Sequence, residues 1–425
     1  MSMSIMKMKK ALKDHTMLVI LVGVMAMFQL LMILTSGEGI LFTPSNVTNI
    51  ILQNSYVLVL AAGMLLCILT GGNIDLSVGS VVCLIGAIGG KLIVDANMPI
   101  GLAIVICLFA GILIGAWHGA FIAYVHLPPF IVTLSGMLLW RGVALIVLDG
   151  LTISPFPQDY LNLFTSYIPE VFMPGLMAAA QAETEQGLVG LIFDPNMAPQ
   201  TAKLMSIRLA VTMGIAVAIC AIMILASVTS RISKKKKGYT VSDLPAFILR
   251  LLVISAVVLF VSYKLGQHHG IPTVLILIAI VVAFYSYYTQ NTVPGRYLYA
   301  IGGNVKAAKL SGINTDNVMM FAYTNMGFLS AVAALVCIAR FNSAAPTAGQ
   351  SYEMDAIGAC FIGGASAYGG SGTIGGAVIG AIFMGVLNNG MSILGVDSNW
   401  QQAVKGLVLL LAVIFDVVSK QRKNK

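Results

Sequence analysis

Runs of about twenty apolar residues recur along this chain from end to end, and no other feature restricts its fold so strongly. A helix rises ~1.5 Å per residue, so about twenty residues cover the ~30 Å hydrocarbon layer of a bilayer. The runs fall near 17–35, 48–70, 76–95, 100–123, 130–149, 207–229, 246–265, 272–289, 318–340, 354–369, 372–394 and 400–418, an upper count of twelve. Inside lipid each backbone N–H and C=O must be satisfied within the protein, and for single runs of this length that means helix. The expectation is an all-α integral membrane protein, a polytopic bundle of about 10–12 transmembrane helices. Two pairs, 48–95 and 354–394, are interrupted by glycine-rich turns and read as broken or re-entrant segments.

The charge content supports this reading. Only 9% of the 425 residues are charged and 58% are hydrophobic, against roughly 25% charged in a soluble domain. Mean hydropathy is +0.92, and the 43 glycines suit helices that pack closely in lipid. The net charge of +8 sits in clusters at the edges of apolar runs: Lys7, Lys9, Lys10 and Lys13, then Arg231 with Lys234 to Lys237, then Lys420, Arg422, Lys423 and Lys425. That placement follows the positive-inside rule and argues against nucleic acid as a partner. It assigns both termini and a basic loop at 230–245 to the cytoplasm. The segment 150–206 holds Asp159, Glu170, Glu183, Glu185 and Asp194 against Lys203 alone, and reads as an irregular extracytoplasmic insertion. Residues 1–425 form one transmembrane domain on this reading. Cys67, Cys83, Cys107, Cys220, Cys337 and Cys360 lie in apolar runs without metal or disulfide spacing. No P-loop and no catalytic, metal or cofactor cluster is found, so energy from ATP would come from another chain.

Three segments are polar enough to carry a mechanism. The first is Gly71-Gly72-Asn73-Ile74-Asp75-Leu76-Ser77-Val78-Gly79-Ser80, between two apolar runs. Broken helices present backbone groups to solute, which makes Asn73, Asp75 and Ser77 translocation-path candidates. An interfacial turn with Asp75 at the start of the next helix is the other reading. The second runs from Ile362 to Ser392, where Gly376 and Gly380 form a G-x-x-x-G that predicts tight helix packing. Asn388, Asn389 and Ser392 there offer amides and a hydroxyl either to a solute or to a neighbouring helix.

The third segment is the loop at 290–317, containing Gly295-Arg296-Tyr297-Leu298-Tyr299-Ala300-Ile301-Gly302-Gly303-Asn304-Val305-Lys306-Ala307-Ala308-Lys309-Leu310-Ser311-Gly312-Ile313. Residues 304–311 read as a short helix with Asn304 as N-cap and Gly312 as its stop. Ala307, Ala308 and Leu310 would give it a small apolar face beside Lys306 and Lys309, suited to a partner or to lipid headgroups. Arg141 lies in an apolar run within reach of Asp149. His118, His126, His268 and His269 are assigned packing or interfacial roles.

Taken in order, Asn73 to Ser80, the run Pro129-Phe130-Ile131-Val132-Thr133-Leu134-Ser135-Gly136-Met137 with Arg141-Gly142, the loop Tyr299 to Ile313, and Asn388-Asn389-Gly390-Met391-Ser392 resemble the permeases of monosaccharide ABC importers, the ribose, xylose and galactose type. The helices near 207–229 and 246–265 place the resemblance in the xylose or multiple-monosaccharide branch, since ribose-like permeases are shorter. The resemblance implies a homodimeric permease in the bacterial inner membrane, a cytoplasmic ATPase with two fused nucleotide-binding domains, and an extracytoplasmic sugar-binding protein. It casts Gly302, Gly303, Asn304, Lys306, Ala307, Ala308, Leu310 and Gly312 as the ATPase-coupling region. The insertion at 150–206 is longer than the branch leads one to expect. An ion-coupled secondary sugar transporter, built around a carboxylate such as Asp75, is the alternative function.

Overall fold

A computed structural model describes residues 16–172, 199–239 and 243–423. The basic residues Lys7, Lys9, Lys10 and Lys13, and 173–198 of the expected insertion, lie outside the described residues. In chain order the α-helices are α1 (Thr16–Ser36), α2 (Pro44–Leu69), α3 (Val78–Gly90), α4 (Ile100–Ala123), α5 (Pro129–Leu148), α6 (Gln158–Thr165), α7 (Ile168–Phe172), α8 (Pro199–Lys236), α9 (Leu244–Gly266), α10 (Val274–Asn291), α11 (Val293–Gly303), α12 (Val305–Leu310), α13 (Thr315–Phe341), α14 (Tyr352–Ile362), α15 (Ile374–Ile393) and α16 (Ser398–Lys423). Among the described residues, eleven helical stretches are long and apolar enough to cross a bilayer. The chain divides into two compact units, one of Met1–Glu38, Ile50–Thr165 and Val274–Lys425, the other of Gly39–Asn49 and Ser166–Thr273.

The first unit is built around α13 and α4, which cross at their glycines. A Cβ on Gly111 would fall 2.6 Å from the Gly327 carbonyl, and one on Gly327 would fall 2.3 Å from the Gly111 carbonyl, so only glycine permits this approach. Large side chains point outward instead: Ile146 is 79% exposed and Leu138 68%. In water such a surface would aggregate, whereas lipid requires it.

Two passages through this unit are not single helices. After Leu69 the chain turns back beside α2, where the Asp75 N–H lies 3.5 Å from the Met64 sulfur. Helix α3 starts there and runs to Gly90, where an added Cβ would touch Ala344 and Ile153. From Ala344, which pairs with Ile153, a run of turns returns inward to α14. The ring of Tyr352, first in α14, stacks on Tyr56 at 3.8 Å. Tyr56 precedes Leu69 by thirteen residues, so α14 begins about 20 Å along the bundle from the Leu69 end. Each passage therefore combines a half-helix with non-helical chain and emerges at the opposite end. The expected span at 354–369 shrinks to an eleven-residue helix, and neither break is a hairpin returning to its own side.

In the second unit α8 packs against α9. A Cβ on Gly266 would sit 2.9 Å from Leu209 Cδ1. Helix α8 already begins at Pro199, eight residues before the expected run, and continues to Lys236. Lys234 and its two neighbours thus occupy the last helical turn, where their charge faces the carbonyl end of the dipole, and the expected 230–245 loop is correspondingly shorter. Tyr167 and Pro272 form an antiparallel bridge. Beside it Glu170 Oε1 lies 3.5 Å from Arg208 Nη2 and 3.9 Å from His269 Nδ1. Burial pushes the Glu170 carboxyl up, against the pull of Arg208. The same burial, with His268 and Arg208 adding repulsion, takes His269 down to about 4.

Candidate functional site

The short-helix region at 290–317 is more regular than the sequence reading made it. Thr292 caps α11 by accepting from the Gly295 N–H at 3.1 Å, with a proline in the first turn. Asn304 ends α11 and caps α12 through the Ala307 N–H at 3.0 Å, and Gly312 stops α12 with φ of +83°. The expected Ala307–Ala308–Leu310 face does not form. Ala308 is buried at 5% exposure, while Leu310 is 90% exposed. Six residues cannot turn all three one way, because positions two and three apart on a helix diverge by roughly 160° and 60°. Gly303, Lys306, Ala307, Lys309 and Leu310 are all exposed.

Behind this surface lies a backbone-to-backbone joint. A Cβ on Gly302 would stand 1.9 Å from the Leu69 carbonyl oxygen and 2.2 Å from the Gly370 nitrogen, so α11 touches both glycine-rich breaks at once. The breaks also bind each other, the Gly370 N–H donating to the Leu69 carbonyl at 3.1 Å. Tyr299 Oη donates to the Gly372 carbonyl at 3.0 Å. The next turn is fixed to α16 through the Ala367 N–H and Asp416 Oδ2 at 3.2 Å. Gly376 and Gly380 close the joint from α15: added Cβ atoms would meet the carbonyls of Gly363 and Ala359 at 2.2 and 1.9 Å. The G-x-x-x-G thus packs α15 on α14, the half-helix preceding it.

The path candidates separate. Asn73 faces a cavity of about 290 Å³ that also meets Gly71, His126, Val305, Asp316 and Met319, next to α12. Its amide is held by Thr70 Oγ1 at 3.3 Å. Asp75 is 2% exposed and Ser77 fully enclosed. Asp75 Oδ1 accepts from the Ser77 N–H at 2.8 Å and from its hydroxyl at 2.6 Å, an Asx turn that launches α3. Asn388 and Asn389 are 7% and 5% exposed, whereas Ser392 near the helix end is exposed. Asn388 Oδ1 has no hydrogen-bond partner among the described residues.

Further polar residues lie deeper in the unit, among them Asp355 and Lys405, which the sequence reading passed over. Arg141 does not pair with Asp149, which takes a left-handed conformation at the end of α5. It donates to the carbonyls of Pro346 at 3.2 Å and Ala348 at 2.6 Å, fastening the turns before α14. Asp355 of α14 is fully buried, accepts from Tyr56 Oη at 2.7 Å and pairs with Lys405 at 3.0 Å. A charge at the edge of or within an apolar run, as at 355 and 405, was the available signal. His118 is buried and accepts from Trp140 Nε1 at 3.2 Å, a packing role.

The family described as branched-chain amino acid transport system / permease component matches residues 46–173 and 187–413, leaving 174–186 of the expected insertion unmatched. The xylose transport system permease protein XylH of Escherichia coli (strain K12) is 34% identical over 390 residues, 91% of this chain and 88% of that one. XylH of Haemophilus influenzae is 33% identical over 97% of this chain and 98% of its own length. The ribose import permease protein RbsC of Escherichia coli (strain K12) is 31% identical over 93% and 92% respectively. No solved structure matches. On the family match and on this near full-length similarity, the chain is a multi-pass membrane protein that belongs to this family of transport-system permease components.

Proposed function

We propose that this chain is the transmembrane subunit of an ATP-binding cassette importer for monosaccharides and moves sugar by alternating access across the bacterial inner membrane. It is a transporter subunit rather than an enzyme. A separate cytoplasmic ATPase with two fused nucleotide-binding domains docks on α12, and a sugar-binding protein delivers from the other side. Two copies of the chain form the working permease, with their termini in the cytoplasm. The xylose and ribose named for its relatives put pentoses first among substrates to test.

One observation carries the reading: Gly302 lies against Leu69 and Gly370 at distances that leave no room for a Cβ. A push on the exposed α12 surface passes through α11 into both broken passages without a flexible side chain intervening. Interlocked backbone is a stiff linkage, because packed interiors switch between arrangements rather than deform smoothly.

The test is Leu310→Glu or Ala307→Glu in the chain reconstituted with its ATPase and binding protein. Both positions are exposed, so stability should hold within ~0.5 kcal/mol. Sugar-stimulated ATP hydrolysis and uptake should fall together by tenfold or more. Unchanged uptake would overturn the docking assignment, and wild-type uptake driven by an ion gradient without ATP would overturn the whole reading.

A further inference from the structure

The two half-helices point their N-terminal ends at one another. A Cβ on Gly79, in the first turn of α3, would lie 2.1 Å from the Gly349 carbonyl and 2.5 Å from Glu353 Oε2 of α14. Beside this junction opens a cavity of about 400 Å³ lined by Ser80, Arg141, Gln350, Ser351, Glu353 and Gln402. The size falls within the ~300–1,000 Å³ of small-molecule sites. Its floor is about 20 Å from the Leu69 end, level with Tyr56, near the middle of the passage.

Met137 and Leu138 give the cavity an apolar part, and most of its polar lining is unspent. Ser80 is 98% buried, at 2% exposure, yet its hydroxyl has no hydrogen-bond partner among the described residues. The side chains of Gln350, Ser351 and Gln402 likewise have none among the described residues. An amide and a hydroxyl each donate and accept, as sugar hydroxyls do. Arg141 is different, since its guanidinium already serves Pro346 and Ala348 and so shapes the wall. The electrostatics also select. Each helix N-terminus acts as roughly half a positive charge, so two of them with the Arg141 guanidinium sum to about two, which the carboxylates of Glu353 and of Asp75 at the start of α3 offset. A cavity balanced in this way suits an uncharged polyol better than an anion.

We infer that this cavity is a way-station for the translocated sugar, a neutral monosaccharide held by Ser80, Gln350, Ser351, Glu353 and Gln402 where the two half-helices meet. This rests on the importer reading above and adds a place and a charge class for the substrate.

The test uses cysteine labelling, because the six native cysteines are buried. Gln402→Cys in the full chain is reconstituted in liposomes and labelled with a small hydrophilic maleimide. Transported sugar should slow labelling at least threefold, whereas the corresponding sugar acid should not. Gln350→Cys repeats the measurement should the first variant fold poorly. In the complete transporter, Glu353→Gln and Gln350→Ala should lower sugar moved per ATP hydrolysed at least tenfold. Equal labelling with and without sugar, or uptake per ATP unchanged in both variants, overturns the station. Loss of ATPase stimulation in the wild-type complex would instead strike the importer reading, and the labelling result would still decide the site.

Discussion

Replacing Lys405 by methionine removes the cation that faces a fully buried carboxylate. Asp355 has no exposure to water, and its other partner, Tyr56 Oη at 2.7 Å, donates a neutral hydrogen bond. Removing one member of a buried ion pair costs about 3–5 kcal/mol, because the remaining charge is left desolvated. At 1.36 kcal/mol per tenfold, that lowers the folded-to-unfolded ratio by roughly two to four decades. The reverse deletion, Asp355→Asn, should cost less. The Lys405 side chain is 14% exposed and sits in the eighth position of α16, about 10 Å from the helix start, so its ammonium can snorkel toward headgroups. Asparagine also keeps an acceptor for Tyr56. With both changes together no charge remains, and the double variant should return to within about 1.5 kcal/mol of wild type, a coupling of about 3 kcal/mol or more. The assay is thermal unfolding of the purified chain in detergent, followed by size-exclusion fluorescence. The expected order of midpoints is wild type, double variant, Asp355→Asn, then Lys405→Met. A Lys405→Met protein within 1 kcal/mol of wild type, or a double variant no better than the worse single, would refute this account of the pair.

Other outcomes follow from the joint and from the second unit. Gly302→Val must displace the Leu69 or Gly370 backbone; it should cost about 1–3 kcal/mol by overpacking and should disconnect ATP hydrolysis from uptake. Gly303→Ala meets nothing within 4 Å, so its unfolding midpoint should not fall, which a paired melt checks. His269 sits at about 4 in the folded protein against an ordinary 6.5. Between those values the unfolded chain takes up a proton that the folded one refuses, so the His269 contribution is complete above pH 6.5 and is lost as pH falls toward 4. Glu170, raised by burial, works in the opposite sense. His269→Gln should flatten the acid limb of a melting-midpoint-against-pH curve, and an unchanged slope would remove His269 from that role.

The spans were legible because lipid imposes a length and a composition together, and α1, α4 and α5 begin and end within a residue or two of their apolar runs. The cap at Asn304 was legible for a different reason, a local hydrogen bond between residues three apart. Helix α11 carried the same kind of signal in Thr292 with proline following, but its three glycines outweighed it and the segment read as loop. The half-helix α14 left no such trace. An apolar run records burial, and burial continues past Ile362 whether the chain is helical or not, so 354–369 looked like a full span. The polar cavity lay further still from sequence reasoning. Ser80, Gln350, Glu353 and Gln402 are brought together only because two passages stop being helical at one depth.

That coincidence of depth links the joint to the cavity. The Leu69 and Gly370 turns are where the two passages meet near α11, and the starts of α3 and α14 are where they meet again about 20 Å away. Between the two meeting points run only the eight residues from Thr70 to Ser77 on one side and the helix α14 on the other. Helix α14 is a rigid rod of about 16 Å, tied by Asp355 to Tyr56 and Lys405 at the cavity end and by Gly363 to Gly376 at the other. A rod pinned at both ends transmits a tilt, whereas the Asp75 turn opposite it, held by two short hydrogen bonds to Ser77, moves as one body with α3. Displacing α11 should therefore change the gap between Gly79 and Glu353 before it changes either helix. Linking a cysteine at 353 to one at 80 with a short bifunctional maleimide across the cavity should accordingly stop sugar movement while leaving both half-helices intact, and free uptake with that link in place would break the connection between joint and cavity.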